Sequence, residues 1–271
     1  MSRNKRRIAA ALLVAAVGCC DQLAQAQTPD GASSAQPAEE APRKGLLVDI
    51  EDCYTAPLRW DLKDWGLFGG SLAAIAVAHH YDSDVRNHFT KGSTAPLDGS
   101  DPHSLKDAAP TIAILGGSLV YAWFSDDRAA HTAVWGMLEA GGLSVVTDYG
   151  LKFAAGRLRP NETIDPNQWR KGGSSFPSAH TTLAFAVGTV FAESGNDEHI
   201  WATRLIGYGA AVGTGYLRLE HNQHWLSDVV ASAALGTASA FFVLHRSYPA
   251  GLTVVPIERG VMLSFHTDFT H

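Results

Sequence analysis

The chain has 271 residues and a formal net charge of -6, with 46% hydrophobic and 18% charged residues. This length is sufficient for one medium-sized domain with a substantial buried core. The acidic balance and the lack of a basic stripe argue against a nucleic-acid-binding protein.

The first 26 residues have the features of an export signal. The chain begins with the basic residues Arg3, Lys5, Arg6 and Arg7. The apolar run IAAALLVAAVG follows, and then the A-x-A pattern Ala24-Gln25-Ala26. We expect cleavage after Ala26 and export to the bacterial envelope, into the periplasm or to the periplasmic face of a membrane. An uncleaved membrane anchor and lipidation at Cys19 are the alternatives. Cleavage would leave Cys53 as the sole cysteine, without a partner for a disulfide.

Residues 27–59 are expected to form a flexible tether and lead-in to the folded domain. Their first part, QTPDGASSAQPAEEAPRKG, is rich in Pro, Ala, Ser and Glu and cannot bury enough apolar surface to fold. From about Trp60 the composition changes to apolar segments rich in Ala and Gly. We therefore expect the folded domain at 60–247.

Six apolar segments within this domain predict helices. Their lengths suit helices better than strands, and their frequent glycines would allow helices to pack closely. The segments are 65–78, 108–124, 130–154, 180–192, 204–217 and 229–246. They predict an all-α domain, a bundle of about six helices.

The same segments raise the question of membrane spans. The second and sixth are nearly long enough, but the third contains Glu139 and Asp148 and the fourth is short. The mean hydropathy of -0.03 is low for a protein with six spans. We expect a bundle that buries its apolar faces in its own core, in a soluble or peripheral protein, with membrane association left open.

The C-terminal tail, 248–271, has a different character. The stretch LTVVPIERGVMLSFHTDF contains several β-branched residues and a turn candidate at Glu258-Arg259-Gly260. This pattern predicts a short hairpin after the helical domain.

The stretch LKFAAGRLRP aligns two cations. Lys152 and Arg159 are seven residues apart, or two helical turns, so both would point to one face before Pro160 ends the helix. A solvated charged face would also explain this pattern.

The stretch GGSSFPSAHTTLAFA predicts the start of an apolar helix near Ser178, after Pro177. The free backbone N–H groups of a helix start bind anions, and Ser178 would add a hydroxyl donor. His180, in the first turn, could donate a proton to a bound group. An N-cap serine followed by a partly exposed histidine would also explain it.

The stretch RLEHNQHWLSDVV contains a histidine and an aspartate one helical turn apart. Asp228, four residues after His224, could hold the imidazole in one tautomer and leave its other nitrogen free to attack. Arg218 precedes His224 by six residues, whereas Trp225 stands four residues after His221. Such a pair is commonly structural, so its interpretation depends on the other two stretches.

Together the three stretches have the composition of a phosphate site. Multiple negative charge on a phosphate calls for several Arg and Lys partners, and hydrolysis needs a nucleophile and a separate acid. The sequence resembles the type 2 phosphatidic acid phosphatase and vanadium haloperoxidase superfamily, in its phosphatase branch. That family's signature is Lys, six residues, Arg-Pro; Pro-Ser-Gly-His; and Ser-Arg, five residues, His, three residues, Asp. The matching residues are Lys152…Arg159-Pro160, Pro177-Ser178-Ala179-His180 and Arg218…His224…Asp228.

The sequence departs from this signature at two positions. Ala179 replaces the glycine, which keeps the backbone N–H but restricts φ. Leu217 replaces the serine before Arg218, so one peripheral hydrogen bond would be lost. Neither change removes a charged or reacting group.

The resemblance implies a helical bundle with the active site at one end. His224 would attack phosphorus and form a phosphohistidine, oriented by Asp228, and His180 would protonate the leaving alcohol. The phosphoryl oxygens would be held by Lys152, Arg159, Arg218, Ser178 and the N–H of Ala179. No metal or cofactor would be needed, and vanadate would bind as a phosphate mimic. His221 lies between signature positions and is expected to take no part.

The leading interpretation is an exported phosphatase acting on phosphate mono- or diphosphate esters of lipids, such as phosphatidic acid or an isoprenoid diphosphate. A soluble periplasmic acid phosphatase of broad specificity is an alternative, because residues 224–229 resemble the last motif of that branch. A vanadium haloperoxidase shares the pocket but is usually much longer. A non-enzymatic anion-binding envelope protein would bind phosphate without turnover. The sequence indicates no protein partner.

Overall fold

The computed structural model describes residues 54–91, 101, 103–196 and 198–245, and the backbone of 252–257 and 260–265. Within these ranges the chain forms a 3₁₀ helix, Ala56–Arg59, seven α-helices and one pair of strands. The helices are α1 (Leu62–His80), α2 (Asp82–Phe89), α3 (Ser104–Phe124), α4 (Arg128–Ala155), α5 (Ala179–Glu193), α6 (Ile200–Glu220) and α7 (Leu226–His245). The expected signal at 1–26 and most of the expected tether lie outside the described residues.

The predicted all-α bundle is confirmed, with one helix more than the six expected from the apolar segments. The additional helix is α2, whose sequence DSDVRNHF is too polar to be recognised as an apolar segment. It is anchored in the protein because Asp82, Val85 and Arg86 are buried. Val85 belongs to the same apolar cluster as Ala78 of α1 and Leu226 of α7.

Local signals in the sequence determine where the main helices begin and end. The Asp61 carboxylate accepts two N–H groups from the first turn of α1, and Asp64 accepts the N–H of Asp61, which is a capping box. Asp127 caps α4 by accepting two N–H groups in the same way. That helix ends at Gly156, which has a left-handed φ of 52°. This glycine directs the chain into the loop that carries the first cationic stretch.

Helix α5 lies at the centre of the bundle, and ten of its fifteen residues are buried. Val187 packs with Met137 of α4 and Val243 of α7. Phe185 packs with Ala211 of α6. Because burial of apolar surface is the main driving force of folding, these contacts fix α5 firmly. The start of α5, which carries the second predicted stretch, is therefore held rigidly against the ends of its neighbours.

Glycines bring the backbones of these helices into direct contact. A Cβ atom on Gly188 of α5 would lie 2.6 Å from the carbonyl oxygen of Gly207 in α6, and one on Gly207 would lie 2.3 Å from that of Gly188. A Cβ on Gly236 of α7 would lie 2.3 Å from the carbonyl oxygen of Thr182 in α5. Only glycine fits at such distances, which is the close packing expected from the glycine content.

Large apolar side chains are exposed on several helices, in contrast to the expected self-contained core. Examples from α3, α4 and α6 are Ile112, Val120, Trp123, Phe124, Tyr149, Phe153, Trp201 and Leu205. Trp123 is 83% exposed and Phe153 is 94% exposed. Within the described part of the chain, α7 alone is long and apolar enough to cross a membrane, and 72% of its apolar window is buried inside the protein. Soluble monomers rarely expose apolar surface on this scale.

The tail contains the predicted hairpin. Strands β1 (Leu252–Ile257) and β2 (Gly260–Phe265) pair antiparallel, with Leu252 opposite Phe265 and Ile257 opposite Gly260. Two residues of the expected turn, Glu258 and Arg259, are outside the described residues.

Candidate active site

The residues of all three predicted stretches meet at one end of the bundle. Lys152 lies in the last turn of α4, and Arg218 lies in the last turn of α6. Helix α5 begins at Ala179, and Asp228 lies in the first turn of α7. The described residues contain no group of three or more His, Cys, Asp or Glu side chains placed to hold a metal ion.

The loop between α4 and α5 folds back on itself and forms one wall of the site. A Cβ at Gly156 would lie 3.2 Å from the Cα of Arg170, so this left-handed turn requires glycine. Farther along, the N–H of Ser175 donates to the carbonyl of Arg157 at 2.9 Å. This pairing brings Ser175 beside the stretch that carries Arg159.

His224 is almost completely buried, and both of its nitrogens have defined roles. Its Nδ1 lies 2.7 Å from the carbonyl oxygen of Ser175. A carbonyl can only accept a hydrogen bond, so Nδ1 carries the proton and Nε2 keeps its lone pair. Burial lowers the pKa of His224 to about 3, which keeps the ring neutral. The ring is therefore fixed in the tautomer that a nucleophile at Nε2 requires.

Asp228 is completely buried and touches His224 less directly than the sequence spacing suggested. Its Oδ2 lies 3.8 Å from His224 Nδ1. The same oxygen accepts the hydroxyl of Ser175 at 2.5 Å and the backbone N–H of Trp225 at 2.9 Å. Burial opposes the charged form, but His224 and Arg157 hold the pKa of Asp228 below its ordinary value. Asp228 thus fixes Ser175, whose carbonyl binds the imidazole, and Trp225, which follows His224 in the chain.

Arg157 is a buried residue of this region that the motif comparison did not single out. Its Nη1 donates to Asp228 Oδ1 at 2.5 Å, and its Nη2 donates to Asp82 Oδ2 at 2.6 Å. Asp82, at the start of α2, is also fully buried and was also not predicted. The one sequence feature that could have indicated Arg157 is that GRLRP contains a second arginine, two residues before Arg159.

Lys152 lies between the loop and the start of α5. Its Nζ donates to the carbonyl oxygens of Ser174, at 3.1 Å, and Pro177. Its ammonium lies 3.5 Å from Oδ2 of Asp148, one turn earlier in α4. Burial lowers the pKa of Lys152. The contacts with Ser174 and Pro177 place the ammonium group close to the start of α5, at which an anion would bind.

The two predicted arginines lie on either side of one carboxylate. Arg218 is completely buried; its Nη1 donates to Asp107 at 2.7 Å and its Nη2 to Asp101 at 2.6 Å. Its Nε has no hydrogen-bond partner among the described residues. Arg159 donates to Gln223 at 2.8 Å, and its Nη1 lies 3.8 Å from Asp101. Burial and the nearby Arg218 cation lower the pKa of Arg159, which indicates concentrated positive charge.

The start of α5 offers donors to an anion. Ser178 is its buried N-cap residue, and its backbone N–H is already used by Ser232 Oγ, at 2.6 Å. The Ser178 hydroxyl oxygen accepts from Thr181 at 3.0 Å, so its own proton remains to be donated. The N–H of Ala179 belongs to a first turn whose N–H groups lack carbonyl partners within the helix. Ala179 does not have a positive φ, so alanine fits where the family signature has glycine.

His180 lies in the first turn of α5, where its Nε2 is 2.9 Å from the hydroxyl of Ser104 at the start of α3. Burial and the positive charge of Arg218 lower the pKa of His180. A bound phosphate would oppose this effect, because negative charge nearby favours the imidazolium. The ring is thus poised to gain its proton when an anion occupies the site.

His221, which was expected to take no part, is connected to the site. Its Nδ1 lies 2.9 Å from Oδ1 of Asp107, the carboxylate that also holds Arg218. Its ring stacks on that of His103, with ring centroids 4.2 Å apart. His221 therefore contributes to the position of an arginine and not directly to the position of His224.

A separate cavity of about 520 Å³ lies near the other end of the bundle. It is lined mainly by apolar residues of α3, α4, α5 and α6, among them Ile114, Met137, Phe191 and Ile206. These residues lie at the opposite ends of the helices from Lys152 and His180. The cavity is therefore distinct from the cationic site.

Comparison with known proteins gives a family match over the part of the chain that carries the site. A family profile described as the PAP2 superfamily matches residues 133–251. Lipid A 1-phosphatase of Porphyromonas gingivalis is 36% identical over 110 residues, which are 41% of this chain and 20% of that protein. Lipid phosphate phosphatase 1 of Arabidopsis thaliana is 29% identical over 177 residues, which are 52% of this chain and 54% of that protein. The chain thus spans about half, or less, of the length of these relatives.

One solved structure also aligns with the chain. It is a transmembrane PAP2-type phosphatidylglycerolphosphate phosphatase from Bacillus subtilis, matched over 73% of this chain and 90% of that one. The sequence identity is 18% and the TM-score is 0.37.

Proposed function

We propose that the protein is a lipid phosphate phosphatase of the PAP2 superfamily, whose profile matches residues 133–251, and that it acts through a phosphohistidine on His224. The observation that carries this proposal is the hydrogen bond from His224 Nδ1 to the carbonyl of Ser175. It leaves Nε2 with a free lone pair in a site surrounded by three cations. A neutral, oriented imidazole is the form that attacks phosphorus.

In the first step, His224 Nε2 attacks phosphorus in line with the leaving oxygen. The N–P bond forms as the bond from phosphorus to the alcohol oxygen breaks, and His180 gives a proton to that oxygen. Negative charge on the phosphoryl oxygens is stabilised by Lys152, Arg159, Arg218, the Ser178 hydroxyl and the N–H of Ala179. Stabilisation by donors already in position is commonly the largest contribution to such catalysis.

In the second step, water attacks the phosphohistidine. His180, now neutral, accepts a proton from the water as its oxygen bonds to phosphorus. The N–P bond breaks, His224 regains its lone pair at Nε2, and inorganic phosphate leaves. The cycle returns both histidines to their starting protonation states and requires no metal ion or cofactor.

The proposed substrates are phosphorylated lipids, as phosphate mono- or diphosphate esters. Two features support this class: the similar proteins are named as lipid phosphatases, and the helices expose large apolar side chains such as Trp123 and Phe153. Apolar surface of this extent is typical of proteins that contact membranes. We therefore propose that the protein associates with a membrane, where its substrate is dissolved.

We further propose that the protein is exported, with a signal cleaved after Ala26, so that the site acts in the cell envelope. The basic start, apolar run and A-x-A pattern support this. N-terminal sequencing of the envelope form tests it, since a chain beginning at Met1 or a lipidated Cys19 would contradict it.

A hydrolysis panel tests the substrate class. Purified protein is given phosphatidic acid, a prenyl diphosphate, lipid A and a soluble aryl phosphate in matched detergent. Preference for a lipid over the aryl phosphate is expected. Equal turnover of all four would indicate the broad-specificity acid phosphatase instead, and phosphate binding without any turnover would indicate a non-enzymatic protein.

A further inference from the structure

Arg157 differs from Arg218, whose Nε has no hydrogen-bond partner among the described residues, because all of the Arg157 donors are directed at protein atoms. Its Nη1 donates to Asp228 and to the Ser227 hydroxyl, at 2.5 and 2.8 Å. Its Nη2 donates to Asp82 at 2.6 Å, and both Nη2 and Nε donate to the carbonyl of Pro166. The side chain is completely buried. Arg157 therefore has no donor left for a phosphoryl oxygen.

The second carboxylate, Asp82, links Arg157 to the start of α7 by another route. Asp82 Oδ1 accepts the backbone N–H of Ser227 at 2.8 Å, and Oδ2 accepts its hydroxyl at 2.7 Å. Ser227 directly precedes Asp228. One guanidinium thus joins the first residue of α2 to the first turn of α7, and both carboxylates depend on it for charge compensation.

Asp228 connects Arg157 to the residues that hold the His224 imidazole. Its Oδ2 binds the Ser175 hydroxyl at 2.5 Å and the Trp225 N–H at 2.9 Å. Ser175 supplies the carbonyl that holds His224 Nδ1, and Trp225 is the next residue after His224. The path from Arg157 to the imidazole therefore consists of three successive polar contacts, all buried.

Two indole rings enclose the guanidinium. The Arg157 Cζ lies 4.4 Å from the centre of the Trp169 ring and 5.4 Å from that of Trp225. A planar guanidinium can pack on aromatic faces while its edge forms several hydrogen bonds, whereas a lysine ammonium has no such fork. The site thus uses properties that are specific to arginine.

We propose that Arg157 and Asp82 are positioning residues that hold Asp228, and through it His224, in the geometry for attack on phosphorus. The inference rests on the proposed function, since it concerns the same nucleophile. Arg157 contributes to the rate of phosphoryl transfer and not to the binding of phosphate. An error of about 1 Å in the position of a reacting group can reduce a rate by about 100-fold.

The test compares Arg157→Lys and Asp82→Asn with Arg204→Lys. Arg204 forms an ion pair with Glu193 at the far end of the bundle, 2.7 Å apart, and is the matched control. Rapid quench measures the rate of phosphoenzyme formation, and inorganic phosphate inhibition measures binding. We expect phosphorylation to slow by about 100-fold in both site variants, with phosphate inhibition changed by no more than about threefold. The control should resemble the wild type in both measurements.

A double-mutant cycle with Asp228→Asn separates a positioning role from a general loss of structure. Groups that act through one another give non-additive effects. Arg157→Lys should therefore cause little further loss in the Asp228→Asn background. Full additivity, a normal phosphorylation rate in folded Arg157→Lys and Asp82→Asn proteins, or a parallel loss of phosphate binding would overturn the inference. A wild-type protein that forms no phosphoenzyme would overturn the proposed function as well, which distinguishes the two failures.

Discussion

The Nδ1 atom of His224 lies 2.7 Å from the carbonyl oxygen of Ser175, and this contact leaves Nε2 as the ring nitrogen with a free lone pair. The carboxylate of Asp228 is farther from the same nitrogen, at 3.8 Å. The carboxylate thus acts mainly on the surroundings of the ring, through the Ser175 hydroxyl and the Trp225 N–H. A backbone carbonyl defines the tautomer, and a buried carboxylate keeps that carbonyl in place.

Replacing Asp228 with asparagine should slow phosphorylation strongly while leaving substrate binding almost unchanged. The amide cannot accept all the hydrogen bonds of the carboxylate, and it leaves Arg157 with less compensating charge. We expect a rate reduced by about 10³- to 10⁴-fold, as when an orienting carboxylate is lost in other histidine-based sites. The measurement is single-turnover phosphorylation together with KM. Asp126→Asn, at an exposed position just before α4, is the control, and a large rise in KM alone would contradict this role.

Activity should be highest on the acidic side of neutrality. His224 has a pKa of about 3 because of its burial, so it remains neutral in mildly acidic solution. His180 must be protonated to act as the acid, and burial and Arg218 lower its pKa below 6.5. In the free enzyme, kcat/KM should therefore fall as pH rises through that lowered value. A profile of kcat/KM against pH tests this, and a value that keeps rising into alkaline solution would show that another group is the acid.

The two carboxylates on Arg218 should have opposite effects when neutralised. Asp101 lies between Arg218 and Arg159, where it competes with phosphate, so Asp101→Asn should lower the phosphate inhibition constant by about fivefold, or ~1 kcal/mol. Asp107 is buried and orients Arg218, so Asp107→Asn should raise that constant. Inhibition of both variants by phosphate and vanadate is the measurement. Weaker binding in both variants would mean that Asp101 also serves to orient the arginine.

His79 should make stability depend on pH. Its hydrogen bond to Asp82 raises its pKa above 6.5 in the native state. The stabilisation is fully present below the unfolded value of 6.5 and is lost as pH rises through the higher native value. Thermal unfolding of His79→Ala should therefore differ from the wild type in acid and approach it at higher pH. The neighbouring His80→Ala is the control; a constant difference at all pH values would disprove the linkage.

Chelation should leave activity intact. In the proposed mechanism the negative charge of the phosphoryl group is neutralised by side-chain cations, and the described residues contain no cluster placed to hold a metal ion. We expect the rate of hydrolysis after EDTA treatment and desalting to match that of untreated protein. Loss of activity that zinc or magnesium restores would require a different mechanism.

The sequence predicts most of the fold because apolar segments of helical length are visible without tertiary information. It misses α2, since Asp82–Phe89 is polar and is buried through ion pairs and a few contacts. The motif spacing likewise selects Lys152, Arg159 and His224. The motif spacing does not select Arg157, because the proposed positioning role of Arg157 depends on its hydrogen bond to Asp82, which is 75 residues away in the sequence. Contacts between such distant residues have no local signature.

The extent of exposed apolar surface was also not predictable from the sequence. Which face of α3 or α4 is covered depends on how the helices pack, and residues such as Trp123 and Phe153 belong to segments that resemble core helices. The role of Ser175 is a further example, because it acts through a backbone carbonyl that any residue would provide. The part of the site that depends on main-chain geometry is therefore seen only in the folded protein.

Rapid quench with substrate labelled in its phosphate tests the central claim most directly. The wild type should accumulate an acid-labile, base-stable phosphoenzyme within one turnover, and His224→Ala should form none and hydrolyse nothing. His221→Ala should still form it, because His221 contacts Asp107 and not the reacting nitrogen. Labelled His224→Ala protein, or a folded His221→Ala protein that cannot be labelled, would show that His224 is not the nucleophile.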